Sequence, residues 1–314
     1  MKKNLILAFL IIICAFLGII FGSRTLSWGE IGTSPLGELR FIRMVAAFFI
    51  GGSLALSGLI FQALLRNVLA EPFTLGISGG ASLGSALTFI LGLHSLTIYA
   101  IPFMSLAGAL IALTIVLLIS RRSNYASENL LLSGVIVSTV ASSVLMYLIS
   151  IANIDELASI SYYLLGDLQS VDNDLLIFQG VYAVIAVIIL QYFSIEINAI
   201  SLGSEEAFYL GVNVKKMNIF LSVIASLLSA STVALAGIIG FVGLIIPHIV
   251  RRTYGSDHRK NIVNTFLSGG LFLMICDIFS RVIFREREIP IGVLTSLIGG
   301  PLFLIILNKR RGSK

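Results

Sequence analysis

Arg40 and Arg43 stand three residues apart, and Asp277 and Arg281 four apart, in otherwise apolar stretches. At helical spacing the members of each pair share one face. Guanidinium groups set three apart at a helix start suit charge-assisted, bidentate bonds to a carboxylate. An aspartate four residues before an arginine suits a local ion pair. This is recognition chemistry, with no bond made or broken. Two readings of these arginines stay open: pairing with Glu38, Asp277, Glu286 and Glu288 nearby in sequence, and docking of an acidic partner.

A second constellation runs from Leu202 to Gly211. Ser204 can cap a short helix, Glu205 and Glu206 favour its first turn, and Gly211 can end it. Such a helix shows Phe208 and Leu210. It either packs on its own protein or inserts those anchors into a groove on a partner.

Catalytic chemistry finds no footing. The chain has no G-x-x-x-x-G-K-[ST], H-E-x-x-H or G-x-S-x-G, so it holds no ATP by a phosphate loop and shows no catalytic constellation. His94, His248 and His258 are far apart without ligand spacing, and no metal or cofactor site is expected. Cys14 and Cys276 sit in apolar runs and read as small core residues.

The elements that carry these residues are set by hydropathy. The 314 residues are 57% hydrophobic and only 12% charged, about half the charge of a soluble domain. Lipid must cover the rest. Apolar runs long enough to cross about 30 Å of hydrocarbon fall near 4–22, 41–65, 75–94, 97–119, 129–151, 172–193, 217–236, 262–284 and 291–308. The fold expected is all-α: a polytopic membrane helix bundle of about ten transmembrane segments, residues 1–314 forming a single domain.

The tenth segment comes from a contradiction. Met217 to Val250 carries no charge, with Lys215 and Lys216 before it and Arg251 and Arg252 after it. As one helix it would measure roughly 50 Å, too long for one crossing, and both basic pairs prefer the cytoplasm. The run must enter and return. Gly237, Gly240 and Gly243 mark the reversal, and 241–251 reads as a half-helix packed inside protein. Both termini then share the cytoplasmic side with most of the 21 basic residues, so the net charge of +5 needs no nucleic acid to explain it. Arg24, Arg40, Arg43, Arg281, Arg285 and Arg287 fall outside, against the rule. Gly51-Gly52, Gly80-x-x-x-Gly84 and Gly299-Gly300 allow close helix approach. Trp28, Tyr162 and Tyr163 fall at headgroup level, and 154–168 reads as a short interfacial helix. Asp277, toward the outer end of its span, is the best buried charge, which leaves little for a coupling-ion site.

Four blocks resemble the iron-siderophore, haem and vitamin B12 permease family of ABC importers, the FecCD type. They are Arg40-Phe41-Ile42-Arg43 through Arg66-Asn67-Val68-Leu69-Ala70-Glu71-Pro72 to Gly76; Leu202 to Val214; Gly240 to Arg251 with Asp257-His258-Arg259; and Asp277 to Arg281 with Glu288-Ile289-Pro290 and Gly299-Gly300-Pro301. They occur in the family's order over nearly the whole chain. Ile42 and Val68 stand where the family usually has proline, which softens the expected turn geometry there. The resemblance implies the type II importer permease fold in a cytoplasmic (inner) cell membrane. It also implies a second permease subunit, two ATP-binding subunits and an external substrate-binding protein or lipoprotein. It makes Arg40, Arg43 and Arg281 docking residues for that binding protein, and Asn67 and Leu69 a cytoplasmic gate. It makes Ser204, Glu205, Glu206, Phe208, Leu210 and Gly211 the contact with the ATPase. The cargo it implies is a ferric siderophore, then haem, then cobalamin. A secondary active transporter working without an ATPase is the competing reading.

Overall fold

The computed structural model describes residues 2–22, 34–73, 75–169, 171–284 and 288–311. Arg24, Trp28, Arg285, Glu286 and Arg287 lie outside the described residues. Thirteen α-helices and no strand occur among the described residues. They are α1 (Lys2–Ile20), α2 (Pro35–Leu64), α3 (Ile77–Ile90), α4 (Ala100–Ser120), α5 (Ser127–Ile151), α6 (Ile154–Leu165) and α7 (Asn173–Tyr192). Then follow α8 (Ser194–Leu202), α9 (Ser204–Tyr209), α10 (Val214–Ala236), α11 (Val242–Tyr254), α12 (His258–Val282) and α13 (Ile291–Arg311).

Seven of them, α1, α2, α4, α5, α7, α10 and α12, are long and apolar enough to cross a membrane. The shorter α3 and α11, together with α13, complete the expected ten. α3 is shorter than the run 75–94 because left-handed glycines bound it: Gly76 at φ +81 and Gly92 at φ +66. The amphipathic α6 is the expected short helix, with Asn153 and Glu156 forming a capping box.

α2 is the axis of the bundle. Ser34 accepts the Gly37 N–H and Pro35 fills the first helical position. Ile42 therefore lies in a helix interior, where no turn exists for a proline to shape. Every residue from Ile50 to Leu65 is buried, against α10, α11 and α12. In lipid this packing rests on close backbone approach rather than on expulsion of water. Gly51 lies on the backbone of Gly269, and Gly80 and Gly84 lie on the backbones of Gly108 and Met104. Side chains there would have no room.

The chain reverses where the charge pattern demanded it. α10 stops at Ala236, Gly237 turns the backbone at φ +69, and 237–241 are unwound before α11 begins. From the other side, α6 holds the break. Tyr163 donates its hydroxyl to Val233 O (2.6 Å) and the Asp167 N–H donates to Ala236 O (2.9 Å). Tyr162 is exposed, as a headgroup residue would be, while Tyr163 points inward to this bond.

Candidate gate, coupling helix and arginine cluster

The arginines gather at the first end of α2 and the last turns of α12. Arg43 Nε donates to Asp277 Oδ1 (2.6 Å), and Arg43 Nη1 donates to Glu288 Oε2 (2.7 Å). Arg281 Nη2 meets Asp277 Oδ2 at 2.8 Å, the expected i,i+4 pair. Asp277 is fully buried and Arg281 is 2% exposed. Arg40, 5% exposed, instead donates to the last carbonyls of α1, Ile19 O (3.1 Å) and Ile20 O (3.0 Å). Of the two readings left open, the pairing is what the geometry displays. The same three arginines line an open depression of about 270 Å³ with Leu36, Leu39, Gln169 and Glu288.

At the far end of α2, roughly 30 Å away, the residues expected to form a gate lie in a tight turn. Arg66 adopts φ +48. Asn67 Oδ1 accepts the Leu69 N–H (2.9 Å), and Asn67 O accepts the Ala70 N–H (3.1 Å). The turn closes with Val68 in the proline position, and Leu69 projects, 50% exposed. Glu71 and Pro72 then lie on α11. Glu71 Oε1 accepts the Phe241 N–H (3.1 Å) at the start of that helix, and Pro72 covers Gly243. Burial pushes the Glu71 carboxyl up, against the opposing effect of this N–H.

α9 presents the predicted coupling residues. Ser204, Glu205 and Glu206 are exposed, Phe208 is 70% exposed and Leu210 65%. Only Ala207 turns inward, onto Ala199 and Ile200 of α8 and Val212 beyond. One expectation is corrected: Gly203, without a side chain, occupies the cap position, and Ser204 is the first helical residue. Gly203 at φ 153, ψ 159, a conformation that residues with side chains rarely adopt, turns the chain out of α8, which leaves Ser204 one position late. Gly211 ends the helix at φ +84: its N–H bonds Phe208 O (2.9 Å), and Val212 N–H bonds Ala207 O (3.0 Å).

Two features had no role in the sequence reading. Asn198 of α8 ties to the turn before α12. Its Nδ2 donates to Asp257 Oδ1 (2.9 Å), and its Oδ1 accepts the His258 N–H (2.9 Å). The Arg259 guanidinium and the Asn198 amide hold the Asp257 carboxyl well below the usual range. The second is a hydroxyl stripe on α5, where Thr139, Ser142, Ser143 and Ser150 are exposed. Thr139 and Ser143 donate back to their own helix, at 2.9 Å each. By contrast α7 exposes only Ile177, Phe178, Val181, Val184, Ile185 and Ile188 along its middle. Among the described residues no three His, Cys, Asp or Glu side chains cluster to hold a metal.

A helical bundle with membrane-length apolar helices, a broken helix pair, a projecting short helix and a cluster of buried arginines and carboxylates defines the class as a multi-pass membrane protein. Residues 10–309 match the FecCD transport family. The chain is 34% identical over 312 residues to the vitamin B12 import system permease protein BtuC of Yersinia enterocolitica, covering 99% of this chain and 92% of that one. It is 31% identical over 324 residues to the hemin transport system permease protein HmuU of Yersinia pestis, covering 99% and 97%. A solved ABC transporter of metal-chelate type, in an inward-facing conformation, superposes with TM-score 0.89 at 30% identity over 98% of this chain and 99% of that one. The chain belongs to the FecCD family. It is the multi-pass permease subunit of an ABC importer, a transport component whose ATP hydrolysis is carried out by a separate subunit.

Proposed function

We propose that this permease passes a bulky metal chelate from an external binding protein to the cytoplasm, with a ferric siderophore as first cargo and haem or cobalamin next. Relatives named for vitamin B12 and hemin, and a structural neighbour of metal-chelate type, support the cargo class. The observation that carries the pathway is the stripe on α5. Thr139, Ser143 and Ser150 donate to their own helix, but small hydroxyl side chains on the exposed face of α5, missing from the middle of α7, suit close approach of a second permease copy, identical or related, across a wet path. A path lined by hydroxyls without charge suits a bulky cargo moved by an external motor.

In this reading residues 1–314 are one transmembrane domain with both termini cytoplasmic. The α9 residues Ser204, Glu205, Glu206, Phe208, Leu210 and Gly211 meet one of two ATPase subunits. Asn67 and Leu69 close the cytoplasmic exit. The depression lined by Arg40, Arg43 and Arg281 receives a carboxylate of the binding protein, steering its approach more than adding raw affinity.

The test is uptake into proteoliposomes holding the complete transporter and its binding protein, offered radiolabelled ferric desferrioxamine, hemin or cyanocobalamin separately. ATP-dependent uptake of the iron chelate is expected. Uptake of cyanocobalamin or hemin alone would reassign the cargo, and uptake without the ATPase subunit would favour an ion-coupled carrier.

A further inference from the structure

We propose that α11 is a transmission arm between the ATPase-facing helix and the gate turn, with Asn198 and Gln62 as the positioning residues that fasten its two ends. This rests on the reading of α9 as the coupling helix and of Asn67–Leu69 as the gate.

The mechanical path can be followed bond by bond. α9 and α8 share one small apolar core, in which Ala207 packs on Ala199 and Ile200. A push on α9 therefore displaces α8. Asn198, on α8, grips the α11–α12 turn at two places: the Asp257 carboxylate and the His258 backbone N–H. That turn is only three residues long, 255–257, and is braced from both sides. The Gly255 N–H bonds Arg251 O (2.9 Å), and Asn261 Nδ2 donates to Gly255 O (2.7 Å). It has little freedom to absorb motion, so α11 follows.

The other fastening is Gln62, buried near the end of α2. Its Oε1 accepts from the Arg251 guanidinium on α11. Its Nε2 faces three carbonyls, Gly243 O (3.1 Å), Leu244 O (3.3 Å) and Ala70 O (3.4 Å). One amide thus joins both ends of α11 to the last residue of the gate turn. Glu71, the next residue, accepts the first N–H of the arm, and Pro72 lies on Gly243. The gate turn and α11 are joined by polar bonds on both sides of Ala70, whereas the turn's own tip, Leu69, is half exposed. Buried polar bonds of this kind have discrete made and broken states, as a two-state transmission element requires.

The test uses the full chain assembled with its ATPase subunits in proteoliposomes, with Cys14→Ala and Cys276→Ala as background. A single cysteine at Leu69→Cys reports the gate and one at Phe208→Cys reports the coupling contact, each by its rate of reaction with N-ethylmaleimide. Trapping the ATPase with ATP and vanadate is expected to change the Leu69→Cys rate. Asn198→Ala, or Gln62→Leu, should cut that change by roughly fivefold or more, while ATPase assembly still protects Phe208→Cys in every variant. Gln62→Glu keeps the Arg251 contact and loses the carbonyl contacts, so it should show the same loss should the leucine variant fail to assemble. A full Leu69→Cys response in Asn198→Ala and Gln62→Glu, with Phe208→Cys protected, overturns the arm. Failure of the ATPase to protect Phe208→Cys, or of Leu69→Cys to respond in the unaltered chain, overturns the coupling or gate reading itself and this inference with it.

Discussion

Asp277→Asn is the most informative single perturbation of the bundle. The carboxylate is wholly buried between two guanidinium groups, 2.6 Å from Arg43 and 2.8 Å from Arg281. The amide nearly preserves the shape and one acceptor, but removes the charge. Arg43 keeps Glu288 at 2.7 Å. Among the described residues Arg281, whose side chain is 3% exposed, keeps beside a neutral amide only the Asp277 backbone carbonyl (3.3 Å) and the weak Met44 Sδ contact (3.9 Å). Breaking a buried pair on one side costs about 3–5 kcal/mol, because the surviving charge stays desolvated. That is between about two and four powers of ten in the unfolding equilibrium. Glu288→Gln, at the rim with 28% side-chain exposure, should cost about 1 kcal/mol or less. Asp277→Asn combined with Arg281→Met, which removes the stranded charge, should recover much of the loss. The protein supplies its own assay. Cys14 and Cys276 are free thiols, both buried, so a maleimide fluorophore reports unfolding on heating in detergent. Equal unfolding temperatures for Asp277→Asn and the unaltered chain would refute the account of the cluster.

Three further outcomes are expected. Gly84→Val puts branches into the Met104 backbone, and should destabilise by about 1–3 kcal/mol by overpacking, read by the same thiol assay. Phe208→Asp with Leu210→Asp should leave the folded bundle intact, since both side chains are exposed, while transport falls relative to ATP hydrolysis; transport at the normal rate removes α9 from the ATPase contact. Asp257→Ala removes the cap of α12, which accepts the Arg259 N–H at 3.0 Å, and should lower the melting temperature. Because the Asp257 carboxyl is held below its usual range, its contribution is complete above its unfolded value near pH 4 and is lost only as pH falls further; melting temperatures at pH 7 and pH 5 should differ between Asp257→Ala and the unaltered chain by the same amount.

The docking idea gains a constraint from the geometry. Charge reversal at Arg43 would set a new carboxylate beside Asp277 and Glu288, so a loss of uptake there would report misfolding. Leu39, exposed on the rim of the same depression, is the cleaner probe: Leu39→Asp should slow uptake without lowering the unfolding temperature.

The reversal at Gly237 was legible because charge is a strong constraint: two basic pairs and an uncharged run between them admit one path. The spans were legible because lipid thickness sets helix length. α8 was not, since Ser194–Leu202 has neither a span's length nor a capping residue. Asn198 was silent, and Gln62 stood in a family-like block without a role, because a lone amide acquires meaning only from partners some 60 and 180 positions away. The arginines carried two meanings in sequence; the direction of α2, a tertiary fact, displays the local pairing, while docking rests on the depression the same arginines line.

α1 is fastened mainly at its ends, by Lys3 to Thr253 O (2.9 Å) and by Arg40 to Ile19 and Ile20, and its long contact is with α12. During synthesis that partner is still unmade when α1 enters the bilayer. Roughly 240 residues must follow at about 5–20 residues per second, so the first helix waits on the order of 10–50 s in lipid without α12, with only α2 among its main neighbours made early. Its apolar surface all round, Leu5, Ile6, Phe9, Leu10, Ile12 and Phe16 among the exposed residues, is what a helix that must survive that interval without its main partner requires.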